Sequence, residues 1–173
     1  IGSSYAGKKS MTATSGPGVS LMVELMGLAG MAEIPVVIVD AQRAGPSTGM
    51  PTRQEQGDLF LAALGGHGEI QRIVLAPVSV SDCFTQAINA FNMAEQFQMP
   101  VMLMGDTTLG VRTESIPTPD LSKYEIVNRL GINGHGANGT NGVGLGIESG
   151  YKRYLMTDSG ISPMATPGDD GGQ

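Results

Sequence analysis

The stretch PVVIVDAQRAGPSTGMPT, residues 35–52, constrains this chain more than any other. Its first half, residues 35–39, is a continuous apolar, β-branched run. Such a run predicts a strand covered on both faces, as in a parallel sheet, and not the alternating pattern of a half-exposed one. After Asp40 the composition changes at once, and Arg43 stands in a loop of Gly, Pro, Ser and Thr. Open parallel sheets bind ligands just past the carboxyl ends of their strands. A guanidinium followed by Ser47, Thr48 and Thr52 supplies planar donors and hydroxyls there, which suit a carboxylate or a phosphate. At this point a plain connecting loop remains an equal alternative.

The rest of the chain repeats the strand–helix theme. Residues 1–9 (IGSSYAGKK) read as the end of a helix whose start is missing, so a fragment is expected. Residues 10–14 (SMTAT) predict a short strand that runs into Ser15, Gly16, Pro17 and Gly18. The helix expected next, VSLMVELMGLAGMAE, is apolar almost all round, as in a helix lying between other elements or at an interface. Strand, Gly-rich turn and helix in that order leave free backbone N–H groups at the top of the sheet. Tight βα packing would explain the same glycines.

Residues 53–64 (RQEQGDLFLAAL) predict a second helix with Gly65 and Gly66 as its stop. Gln56 and Asp58 could face the same pocket, but a solvated helix face is the expectation for both. RIVLA, residues 72–76, predicts a third strand, and Ser79 and Asp82 have the spacing of a capping box. In the helix that follows, Phe84, Ile88, Phe91 and Ala94 share one face. Thr85, Gln86, Asn89, Asn92 and Glu95 fall on the other, and packing alone is expected of that helix. PVMLM, residues 100–104, predicts a fourth strand, after which the alternation stops. The expected fold is therefore α/β, a parallel sheet with helices on both faces over residues 1–112. Residues 113–173 are expected to form a linker and an extended C-terminal arm. Within them the Gly/Asn-rich residues 131–150 should be flexible, and residues 169–173 should lack fixed structure.

Composition narrows the function. The net charge is -6 with no basic cluster, which argues against a nucleic-acid surface. No apolar run reaches the roughly 18 residues of a membrane helix, so no membrane association is expected. Cys83 is the only cysteine. It excludes an internal disulfide and favours an intracellular, cytoplasmic setting. It also cannot hold an iron–sulfur cluster, which typically takes about four thiolates. His67 and His135 lie far apart without metal-ligand spacing, so no metal site is expected on this chain.

Two stretches then remain where a ligand should sit, Thr14–Gly18 and Arg43–Thr52, each after a strand of the same sheet. There is no Ser/His/Asp set, no paired carboxylates on one element and no P-loop lysine. Recognition groups without a proton-transfer apparatus fit a domain whose cofactor supplies the chemistry.

These stretches carry a resemblance. TATSGPGVSLMVELMGLA, then PVVIVDAQRAGPSTGMPT, then QGD closely resemble the alpha subunit of 2-oxoacid:ferredoxin (acceptor) oxidoreductases, the 2-oxoglutarate type most of all. YAGKKSMTATSGPG and the terminal GISPMATPG match the same pattern, so residues 1–125 and 151–168 are covered. The Asn/Gly-rich residues 131–150 depart from it, and Met164 stands where an arginine is common.

The resemblance implies a thiamine diphosphate enzyme and, for this part of it, the pyrimidine-binding domain. It implies that Arg43 and Thr52, with Ser47 and Thr48 beside them, hold the carboxylate of the 2-oxoacid. It implies that Thr14, Ser15, Gly16, Pro17 and Gly18 lie along the cofactor's aminopyrimidine. A beta subunit would carry the diphosphate-binding domain, Mg²⁺ and the iron–sulfur clusters (4Fe–4S). The whole enzyme would decarboxylate a 2-oxoacid oxidatively with CoA, form acyl-CoA and CO₂, and reduce ferredoxin. The family's cofactor-activating glutamate belongs upstream of residue 1, so this fragment alone should be inactive. Two rivals are a non-oxidative thiamine enzyme of the acetolactate synthase or decarboxylase kind, and a non-catalytic α/β module that binds a small anion.

Overall fold

The computed structural model describes residues 1–132 and 150–172. The expected flexible stretch 131–150 therefore lies almost wholly outside the described residues. The elements in chain order are α1 (Gly2–Tyr5), β1 (Met11–Thr14), α2 (Gly16–Met31), β2 (Val36–Gln42), α3 (Leu59–Leu64), β3 (Ile73–Leu75), α4 (Val80–Phe97), β4 (Pro100–Asp106) and α5 (Thr107–Val111). A 3₁₀ turn at Leu121–Lys123 follows.

The strands form one sheet in the order β1-β2-β4-β3, and every neighbouring pair is parallel. Each face has its own core. On one side Val19, Met26 and Ala29 of α2 and Ala62 of α3 pack on Val36, Ile38, Met102 and Met104. On the other, Ala90 and Ala94 of α4 pack on Val37, Val101 and Leu103. The two central strands thus bury both faces, which is why residues 35–39 and 100–104 read as unbroken apolar runs.

The structure departs from the sequence reading in four places. First, β2 does not end at Val39. It pairs with β4 as far as Gln42↔Asp106, so Asp40 and Gln42 lie inside the sheet. Second, the helix expected over residues 53–64 spans only Leu59–Leu64. Its polar first half is drawn into tertiary hydrogen bonds. Thr108 N donates to Gln54 Oε1 at 2.8 Å, Gln56 Nε2 to Asp106 Oδ2 at 2.6 Å, and Asp58 N to Gln42 Oε1 at 3.1 Å. Side chains that bond distant groups hold the backbone extended, against its local helix propensity.

Third, α4 does more than pack. Ser79 caps it as expected, accepting from Asp82 N at 3.1 Å. Its polar face, however, is not solvated but grips residues 124–129. Thr85 bonds the Tyr124 hydroxyl, Asn92 bonds Glu125 O and Val127 N, and Glu95 pairs with Arg129. Fourth, residues 169–172 form turns instead of lacking structure, because Asp169 Oδ2 accepts from Thr166 N at 2.7 Å. Met164 is buried in the α2 core. Cys83 is a free thiol. His67 is a surface residue facing Glu24, and His135 lies outside the described residues. Among the described residues no helix is long and apolar enough to cross a membrane.

Candidate functional site

β1 and β2 deliver the two predicted loops side by side, because Thr14 is in register with Asp40. β1 ends at Thr14 and α2 begins at Gly16, so Ser15 is all that separates strand from helix. Its carbonyl accepts from Gly18 N at 2.8 Å and Val19 N at 3.0 Å, which closes the turn. Pro17 sits in the first helical turn, where its missing N–H costs nothing. The two glycines answer to close contacts. A Cβ at Gly18 would overlap the Thr14 side chain, and one at Gly16 would overlap the Asp58 carboxylate.

Arg43 follows β2 directly. Its Nη1 donates to the carbonyls of Ala44 (3.1 Å), Ser47 (2.9 Å) and Thr48 (3.2 Å). These bonds pin one edge of the guanidinium to its own loop. Nη2 and Nε make no hydrogen bond among the described residues, so the other edge is open. Ser47 is left-handed (φ 53°) and the Gly45–Pro46 peptide is cis. Ala44 N donates to Arg53 O at 2.9 Å and Arg53 N to Met50 O at 3.0 Å, which folds the loop back on itself.

Between the two loops lies an open cleft of about 550 Å³. The α2 turn contributes Gly16, Pro17 and Ser20, the Arg43 loop contributes Arg43 and Ser47, and the stretch before α3 contributes Glu55 and Asp58. The structure thus brings Gly16, Pro17, Arg43 and Ser47 to one wall. Thr14, Ser15 and Gly18 support the turn from behind, and Thr48 meets Arg43 through its carbonyl. Thr52 sits in the exposed turn at residues 50–53 and does not line the cleft.

Asp40 was missed, and of the two faces open to Asp58 the solvated one was preferred. Asp58 lines the cleft, not a solvated helix face. Its carboxyl is pushed above its usual value by burial, with Arg43 acting in the opposite sense. Asp40 is fully buried, and neither carboxylate oxygen has a hydrogen-bond partner among the described residues. Burial and then the Asp58 charge push its carboxyl up to about 6. The signal for Asp40 was a charged residue continuing an apolar strand run. Among the described residues no group of His, Cys, Asp and Glu could hold a metal ion.

Residues 1–143 match the family model described as pyruvate flavodoxin/ferredoxin oxidoreductase, thiamine diphosphate-binding. The chain is 50% identical over 123 residues to the 2-oxoglutarate synthase subunit KorA of Methanothermobacter thermautotrophicus, covering 71% of this chain and 33% of that protein. It is 43% identical over 168 residues to 2-oxoacid:ferredoxin oxidoreductase 1, subunit alpha, of Sulfurisphaera tokodaii, covering 95% of this chain and 25% of that protein. A solved 2-oxoglutarate:ferredoxin oxidoreductase from Magnetococcus marinus, with 2-oxoglutarate, coenzyme A and succinyl-CoA bound, superposes with a TM-score of 0.89 at 47% identity, over 100% of this chain and 28% of that one. The chain therefore spans about a quarter to a third of the length of these relatives. A parallel α/β sheet, a glycine turn and an arginine loop on one cleft, and a family match over most of its length together place this chain in the thiamine diphosphate-binding family of pyruvate flavodoxin/ferredoxin oxidoreductases.

Proposed function

We propose that this chain is the pyrimidine-binding part of the alpha subunit of a 2-oxoacid:ferredoxin oxidoreductase, and that Arg43 receives the carboxylate of the 2-oxoacid. The observation that carries this is the half-engaged guanidinium, with Nη1 held by three carbonyls and its other edge open beside the Gly16 turn. A guanidinium held this way can take a carboxylate bidentately without first losing its own rotamer freedom. Ser47 and Thr48 shape the loop through their carbonyls, and Thr52 reaches the substrate only if the turn at residues 50–53 closes over the cleft.

The residues present fit thiamine diphosphate on its aminopyrimidine side. Glycine backbone at Gly16, Gly45 and Gly57 leaves flat walls, and the Asp58 carboxylate offers an acceptor for an amine. When bound, the cofactor supplies the carbanion chemistry of decarboxylation. Gly16 and Pro17 would face its ring, with Thr14, Ser15 and Gly18 shaping the turn behind them, while Arg43 would orient the acid.

In this reading residues 1–112 are the pyrimidine-binding unit and residues 113–173 are its linker and C-terminal arm. The beta subunit supplies the diphosphate-binding half, Mg²⁺ and the iron–sulfur clusters. Leu21, Leu25, Leu28 and Met31, all exposed on α2, suit an assembly surface. The assembled enzyme oxidises 2-oxoglutarate with CoA and passes electrons to ferredoxin in the cytoplasm. The test is Arg43→Lys in the complete enzyme. Loss of one charged hydrogen bond removes roughly 1.5–3 kcal/mol, so kcat/KM for the 2-oxoacid should fall by about tenfold to a few hundredfold. Calorimetric affinity for thiamine diphosphate should stay nearly unchanged. Unchanged catalysis, or lost cofactor affinity, removes Arg43 from this role.

A further inference from the structure

Asp40 is a buried acid that the reading above does not use. Buried carboxylates are normally paired or hydrogen-bonded, and one with both oxygens unpartnered calls for an explanation. Its direction follows from strand alternation. Val36 and Ile38 belong to the core under α2 and α3, while Val37 belongs to the core under α4. Asp40 continues the first series, so its side chain points to the face where α2 and α3 begin. Gln42, next on that face, accepts from Asp58 N at 3.1 Å and so holds Asp58 above Asp40. Asp58 Oδ2 is likewise buried without a hydrogen bond among the described residues.

The groups around Asp40 are few. From β1 and β4 its register neighbours are Thr14 and Met104, neither charged. The first turns of α2 bring Gly16, Pro17 and Ser20, also uncharged. The loop and the start of α3 bring Asp58, with Arg43 and Glu55 acting on Asp58 in turn. Glu55 is tied to the loop through Gly45 N at 3.3 Å. The cleft therefore sets one cation, Arg43, against an acidic wall of Asp58 and Glu55 with Asp40 behind it.

We propose that Asp40 and Asp58 act as an electrostatically coupled pair of carboxyls that sets the charge of the cleft, and so decides how well it accepts a 2-oxoacid with a second negative charge. This rests on the reading that Arg43 receives the first carboxylate. With one proton on the pair, Arg43, Glu55 and the pair sum to about one negative charge. With none, the sum is about two. The Asp58 charge acts on the buried Asp40, and carboxyls that interact do not ionise independently, so the second charge appears late. Burial of Asp40, which holds its carboxyl near 6, puts that step in the working range. An added negative charge repels a doubly charged acid more than a singly charged one. Across a partly solvated cleft the difference is roughly fivefold.

The experiment uses the complete, cofactor-loaded enzyme. kcat/KM is measured for 2-oxoglutarate and for singly charged 2-oxobutyrate between about pH 5.5 and 8. The ratio of the two should fall roughly fivefold as pH rises through about 6. Asp40→Asn should hold it at its acid-side value, and Asp58→Asn should raise it at every pH. A wild-type ratio that is flat with pH, or a slope that survives both variants, overturns the pair's role. The wild-type arm needs no variant, so a misfolded Asp40→Asn does not blunt the test. If Arg43→Lys changes neither substrate, the reading of Arg43 fails, and this inference fails with it.

Discussion

Arg129 and Glu95 meet as a two-pronged ion pair in the interior. Arg129 Nη2 donates to Glu95 Oε1 at 2.5 Å and Nε to Oε2 at 2.9 Å, with the two side chains 1% and 2% exposed. The remaining donors are also placed. Arg129 N bonds Glu95 Oε2, and Nη1 bonds Ser4 O and faces Met164 Sδ at 3.6 Å. One side chain thus ties α1, α4, residues 124–129 and the segment around Met164 together. Burial lowers the Lys9 ammonium, with Glu95 raising it and Arg129 adding to the fall.

Breaking such a pair leaves a buried charge without a partner, which costs about 3–5 kcal/mol. Arg129→Met in the complete subunit should therefore lower Tm by several degrees. Arg129→Met with Glu95→Leu should recover a large part of the loss, because no bare charge remains. Thermal denaturation of both checks this. A double variant less stable than either single one would show that the backbone contacts, not the charges, hold the segment.

The parallel sheet, its four strands and the two loops that follow β1 and β2 were legible because apolar runs and glycine turns are local signals. Glu95 was not. Its position on the polar face of α4 fits a solvated helix equally well, and its partner lies 34 residues on, in a segment without periodicity. Asp58 was misplaced for a related reason. Its amide is held by Gln42 at the end of β2, a contact that no local pattern announces. The place of Arg43 after β2 was legible, but the sequence could not reveal that its Nη1 is occupied by its own loop.

Gly18 is fixed by the Thr14 side chain, which occupies the space a Cβ would need. Gly18→Ala should strain the turn and weaken thiamine diphosphate affinity in the complete enzyme by about tenfold, within the usual range for overpacking. Thr14→Ala should relieve part of that loss in the double variant, a coupling visible in a double-mutant cycle by calorimetry. Simple additivity of the two changes would place the constraint elsewhere.

Asp40 also makes a prediction for stability. Its carboxyl rises from 3.8 to about 6 on folding, so between those values the folded state holds the proton more tightly. Stability should therefore be fullest below about pH 4 and fall as pH rises through about 6, for this group alone. The loss should be on the order of 3 kcal/mol. Asp40→Asn should remove that slope, read as the difference between the Tm–pH curves of variant and wild type. Parallel curves would mean that Asp40 is not proton-bound in the folded state.

The most direct test is the structure of the complete complex with its cofactor and 2-oxoglutarate. Arg43 should keep Nη1 on the Ala44, Ser47 and Thr48 carbonyls and turn its open edge to the 2-oxoacid carboxylate. The carboxylate oxygens should lie at about 2.7–2.9 Å from that edge, in the cleft between Gly16 and Ser47. A 2-oxoacid bound elsewhere, or bound in this cleft with Arg43 turned away from it, would contradict the role assigned to this loop.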